Sequence, residues 1–124
     1  MITEYHRPKT IDEALALLGR SQPDSLPIAG GTAFNHQASQ PIAAIDLQAL
    51  GLDHIQRRSN QLEIGAMVRL QTLLDTVESA ALKQVIQHEA TYNLRQAATV
   101  AGTLVAATGR SPFATALLAL DAAT

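Results

Sequence analysis

An α/β fold is predicted, with a small parallel unit in the first half of the chain and a helix-rich second half. Three observations carry this expectation. A capped helical stripe opens the chain, two short apolar runs of the kind that parallel sheets bury follow it, and the pattern changes near residue 60 to longer helical segments.

The first helix is read in "KTIDEALALLGR", where Thr10 can cap and Glu13, three residues on, completes a capping box. Ile11, Ala14, Leu15 and Leu18 recur at i, i+3, i+4 and i+7, and Gly19 is a stop. "SQPDS" is a loop. Residues 26–29 and 41–47 are the two buried strands, and Asp46 can cap a turn after the second. Residues 61–66 alternate Leu62 and Ile64 with polar neighbours and form a third strand. "VRLQTLLDTV" and "SAALKQVIQHEA" are helices, with leucines at 70, 73 and 74 on one face and Leu82, Val85 and Ile86 on the other. Ser111 can cap a last helix with Pro112 at its first position, and Leu117, Leu118 and Leu120 form its buried side. The chain stops soon after, which reads as a truncation.

A length of 124 residues suits one small domain. The net charge of −2 and a lone basic pair, Arg57–Arg58, argue against a reader of phosphate backbones. The absence of cysteine excludes disulfides, cysteine-ligated iron–sulfur clusters and thiol catalysis within the chain. No run approaches a membrane span and no signal core opens the sequence, so a cytoplasmic location is expected. The four histidines lack ligand spacing, and no metal is expected. Asp75, Glu78 and Glu89 read as solvated, and Arg95 as structural or, alternatively, as facing a partner subunit. No nucleophile–base pair is visible, so no catalytic side chain is assigned.

The stretch "LPIAGGTAFN" ends a strand on Gly30, Gly31 and Thr32. Successive glycines let amide N–H groups face one side and let an anion approach without a Cβ clash, though a tight strand-exit turn uses the same residues. "TVAGT" again places threonines around a glycine, Gly102. It is either a second such loop or a strand with a bulge. Two loops of this kind could clamp one diphosphate.

Taken together, "YHRPKTIDEALALL", "PIAGGTAF", "IDLQAL", "LEIGAMVRLQTLL", "HEA", "LRQAATVAGTL" and "ALLALDA" resemble, in order and spacing, the FAD-binding subunit of the molybdenum hydroxylases. The flavin domains of carbon monoxide dehydrogenase and xanthine dehydrogenase belong there. The resemblance implies a two-part FAD-binding fold: a small α/β subdomain at 1–58 with the first Gly-Gly loop, then an incomplete second subdomain at 59–124. It implies FAD as cofactor, held by Ile28, Ala29, Gly30, Gly31, Thr32 and Ala33 and by Thr99, Val100, Ala101, Gly102 and Thr103. The implied role is that of an oxidoreductase subunit. It would relay electrons between iron–sulfur clusters of partner subunits and an acceptor, beside a molybdopterin-binding large subunit and an iron–sulfur small subunit. The family's second loop usually reads Thr-x-Gly-Gly-Asn/Asp, so Ala101 and Thr103 depart from it. Pro112 replaces an aspartate near the flavin end. These departures suit an alternative, a scaffold or interaction module of the same fold that no longer binds FAD.

Overall fold

A computed structural model describes residues 1–31 and 40–123 of the chain. Its first layer is a three-stranded parallel sheet in the order β1-β3-β2, formed by β1 (Ile2–His6), β2 (Asp24–Ile28) and β3 (Ile42–Asp46). The central strand pairs Ile42–Asp46 with both neighbours at once, for example Ala44 with Tyr5 on one side and with Leu26 on the other. Every residue of β3 is buried, as a strand covered on both faces requires. Helix α1 (Ile11–Leu18) packs on β2 and β3.

Strand β1 is not among the predicted elements, because Glu4, His6 and Arg7 break up any apolar run there. It is an edge strand whose charges are paired. Glu4 accepts from His6 Nε2 at 2.8 Å and from Arg20 Nη2 at 2.9 Å. These bonds hold the Glu4 carboxyl below the usual carboxylate range. Charged side chains on an edge also deter further strand pairing.

The capping of α1 follows expectation in part. Thr10 Oγ1 accepts from the Glu13 N–H at 3.2 Å, but the Glu13 carboxylate reaches the Lys9 N–H rather than that of the cap. The buried face differs from the predicted stripe. Ala14 is buried and Leu17 and Leu18 are half-buried, whereas Ile11 and Leu15 face solvent. Ala14, Leu17 and Leu18 recur at i, i+3 and i+4, and this is the stripe turned to the sheet.

The chain next forms an antiparallel hairpin, β4 (Ile55–Arg58) and β5 (Gln61–Ile64), closed by Ser59 and Asn60 with Ser59 at φ 52°. Only its second strand was legible in advance. Five helices follow: α2 (Leu70–Thr76), α3 (Ala80–Glu89), α4 (Tyr92–Arg95), α5 (Val100–Val105) and α6 (Pro112–Ala119). Leu70, Leu73, Leu74, Val77, Ile86, Val100 and Phe113 form their shared core, with the half-buried Ile55, Leu62 and Ile64 of the hairpin against it. The hairpin spans residue 58, so its two strands lie on either side of the division expected there.

On α6, Ser111 caps as expected, accepting from the Ala114 N–H at 3.1 Å. Its buried side, however, is Phe113 with Leu117, while Leu118 is 81% exposed and Leu120 is 64% exposed. Glu89 is not solvated either. Its Oε1 accepts from the Ser111 hydroxyl and from the Phe113 N–H at 3.3 Å, so a carboxylate from α3 satisfies the first turn of α6. Glu89→Ala should therefore lower stability by about 1.5–3 kcal/mol in urea denaturation, as loss of a charge-assisted hydrogen bond does. A change below 0.5 kcal/mol, the scale of an ordinary surface substitution, would contradict this pairing.

Candidate functional site

The C-terminal ends of the three parallel strands converge on one edge, where ligands of open α/β sheets bind. At the exit of β2, Ile28 still belongs to the sheet and its carbonyl accepts from the Leu47 N–H at 2.9 Å. Ala29, Gly30 and Gly31 then leave it. Their N–H groups donate to no acceptor among the described residues. Gly31 has φ +76°, in the left-handed region that favours glycine. Ala29 and Gly30 are half-buried and Gly31 is exposed, so the bend is within reach of a ligand. Thr32 and Ala33 lie outside the described residues.

The second bend lies directly against the first. A Cβ placed on Gly30 would stand 1.7 Å from the Ala97 carbonyl oxygen, and one on Gly102 would stand 3.7 Å from Ala29 Cβ. The first of these distances is below any real contact, so Gly30 is glycine because the backbone before Thr99 occupies its side-chain space. Sequence spacing alone could not show that residues some seventy apart meet in this way.

This second bend is neither a bulged strand nor an open loop. It is the start of α5, capped by the buried Thr99, whose hydroxyl accepts from the Gly102 N–H at 3.1 Å. The amides here are already committed. Val100 donates to Val68 O at 2.8 Å, Ala101 to Ala66 O at 3.0 Å and Thr103 to Thr99 O at 2.9 Å. The second bend's amides at Val100, Ala101, Gly102 and Thr103 therefore have acceptors within the chain, whereas those of Ala29, Gly30 and Gly31 have none among the described residues. The second offers a small-residue wall and the Thr103 side chain. Ala101 fits without strain because it lies in a right-handed helix.

A cleft of about 290 Å³ opens beside Gly102 and Thr103, bounded on its far side by Arg110, Ser111 and Glu89. A second cleft, of about 270 Å³, lies beside Arg7, Gln48 and Arg69. Arg95 is structural as expected, donating to Gln71 Oε1 at 3.0 Å and to Ala90 O at 2.7 Å. Asp46 also caps as expected, accepting from the Gln48 N–H at 3.0 Å and from the Tyr5 hydroxyl. That bond to Asp46 pushes the Tyr5 phenol above its usual value and keeps it a donor. The sequence reading passed over Gln48, Arg69 and Arg110 and took Glu89 as solvated. Gln48 lies just past a strand end, a place where polar residues at a ligand edge could have been sought.

No group of histidines, aspartates and glutamates among the described residues could hold a metal ion. Nor is any helix among them long and apolar enough to cross a membrane. Chemically, the β2 exit offers backbone N–H dipoles of the kind that suit an anion, beside a small-residue wall, with no side chain placed there for acid–base work among the described residues.

Comparisons with known proteins bear on which anion. Protein YgfM of Escherichia coli K12 is 35% identical over 125 residues, covering 98% of this chain and 48% of that protein. The carbon monoxide dehydrogenase medium chain of Afipia carboxidovorans is 33% identical over 89 residues, covering 68% of this chain and 31% of that one. The structure of carbon monoxide dehydrogenase from Hydrogenophaga pseudoflava superposes with a TM-score of 0.71 at 29% identity, over 82% of this chain and 38% of that one. The chain thus spans at most about half the length of these relatives. The family described as the FAD binding domain in molybdopterin dehydrogenase matches residues 1–124. With its parallel sheet, its two adjoining bends and that full-length match, the chain belongs to the FAD-binding domain family of the molybdopterin dehydrogenases.

Proposed function

We propose that this chain holds the diphosphate of FAD at the β2 exit and serves as the flavin-binding part of a molybdenum hydroxylase complex. The observation that supports the reading is that the N–H groups at Ala29, Gly30 and Gly31 donate to no acceptor among the described residues. An anion there gains backbone hydrogen bonds and meets no Cβ at Gly31, while the side-chain space of Gly30 is taken by the Ala97 carbonyl. Ile28 fixes where the strand ends, and Thr32 and Ala33 extend the same loop by resemblance. Thr99, Val100, Ala101, Gly102 and Thr103 form the opposing wall, where Gly102 allows close approach and the Thr103 hydroxyl supplies a polar contact.

Bound FAD would supply the redox chemistry, and the protein would bind and orient it. In the proposed complex, a molybdopterin-binding large subunit and an iron–sulfur small subunit would be the partners, and bound FAD would be the relay between their centres and an acceptor. The absence of cysteine in this chain agrees with clusters that lie elsewhere. A cytoplasmic location belongs to the same proposal.

The test is a titration of the purified protein with FAD and with FMN, which lacks the diphosphate. FAD is expected to bind at least about tenfold more tightly, a difference of about 1.4 kcal/mol. Equal affinities would remove the diphosphate clamp from the account. Failure of both to bind would instead favour a scaffold of the same fold.

A further inference from the structure

Gln48 stands between the sheet and both bends, and its side chain faces two ways. Its Nε2 donates to the Ala29 carbonyl at 2.9 Å, and its Oε1 accepts from Arg69 Nη2 at 2.8 Å. Arginine has no acceptor, so the oxygen must face Arg69 and the nitrogen must face Ala29. Arg69 Nη1 then donates to the carbonyls of Gln96 at 3.0 Å and Ala97 at 3.3 Å. An unbroken path of hydrogen bonds therefore joins the first bend to the backbone that leads into the second. Gln48 is itself pinned, since its N–H donates to Asp46, which is only 5% exposed.

The consequence follows from peptide planarity. The Ala29 carbonyl and the Gly30 N–H belong to one peptide unit and point in opposite directions when it is trans. Anchoring the carbonyl on Gln48 therefore turns the Gly30 N–H away from Gln48. The Arg69 fork performs the matching task on the other side, where the Ala97 carbonyl that it holds is the atom against which Gly30 packs. A lysine cannot span these acceptors, because its ammonium lacks the planar fork.

On this geometry we propose that Gln48 and Arg69 are positioning residues that fix the two bends in one frame and aim the Gly30 N–H, which has no acceptor among the described residues, before any ligand arrives. The proposal rests on the reading that this bend holds the FAD diphosphate. Preorganisation of this kind raises affinity by removing the cost of ordering the loop on binding.

The experiment uses Gln48→Met and Arg69→Lys, singly and together, in the full chain. Neither substitution changes net charge, so lost affinity cannot be assigned to bulk electrostatics. Two measurements are made: FAD affinity, and backbone ¹⁵N order parameters at Gly30 and Gly31 without FAD. Each variant should bind FAD about tenfold more weakly, and the double variant no worse than the weaker single, as coupled members of one path do. The order parameters should fall from about 0.85 toward about 0.6 while the thermal midpoint stays close to that of the parent. If the parent binds FAD and the variants bind within twofold of it, the brace is refuted and the FAD reading stands. Weaker binding with unchanged order parameters also refutes it, because the two residues would then be touching the ligand. If the parent does not bind FAD yet the order parameters fall, the brace stands and the FAD reading fails.

Discussion

Gly30→Ala should destabilise the protein by about 3 kcal/mol or more, well above the usual effect of adding one methyl group. The added Cβ would sit 1.7 Å from the Ala97 carbonyl oxygen and 2.5 Å from its carbon, and both are main-chain atoms. A side chain could rotate away, but here one bend must move off the other. Gly31→Ala is the informative partner. It has φ +76°, yet its nearest obstacle among the described residues is Ile28 Cγ2 at 4.0 Å. Its cost should be the left-handed penalty alone, about 1–2 kcal/mol. Urea denaturation of both variants checks the contrast, and equal losses would mean that the bends do not touch as described. The comparison also bears on the design of binding tests. A bulky residue at Gly30 would disturb packing and ligand contact together, so lost binding there would not isolate the loop's function. Gly31 is the cleaner site.

The second large effect lies in the other core. Phe113→Ala should cost about 3–5 kcal/mol, a substantial part of the about 5–15 kcal/mol by which small domains are stable. Phe113 is fully buried at the first turn of α6, amid residues from α2, α3 and α5. Leu118→Ala, one turn and a half further on, should cost no more than about 0.5 kcal/mol, because its side chain is 81% exposed. Comparable losses at the two positions would restore the face that the sequence pattern favoured.

Why that pattern misled on α6 is instructive. The helix is apolar nearly all round, so periodicity cannot choose a face, and the largest ring in the best-packed place decides. The same limit applied to β1, where an edge strand with paired charges does not alternate as a half-buried one does. It applied again at α5. Val100, Thr103 and Val105 are poor helix formers with a glycine among them, but pairing with Ala66 and Val68 and the Thr99 cap impose a helical turn. By contrast, α2, α3, β2, β3 and β5 were legible, because their apolar spacing matches the period of the element each one forms. At the site, the strand exit at the two glycines could be read from local chemistry. The contact between the bends, the commitment of the second bend's amides and the Gln48–Arg69 path could not, since each depends on which distant segments the fold brings together.

The order β1-β3-β2 also governs how the chain comes off the ribosome. The strand in the middle is the last of the three to be synthesised, and it must enter between two that precede it. Until residues 42–46 clear the exit tunnel, neither earlier strand has its native neighbour, and both carry open backbone donors and acceptors. At translation speeds of about 5–20 residues per second, that interval lasts on the order of seconds, a window in which a nascent chain would gain from chaperone cover.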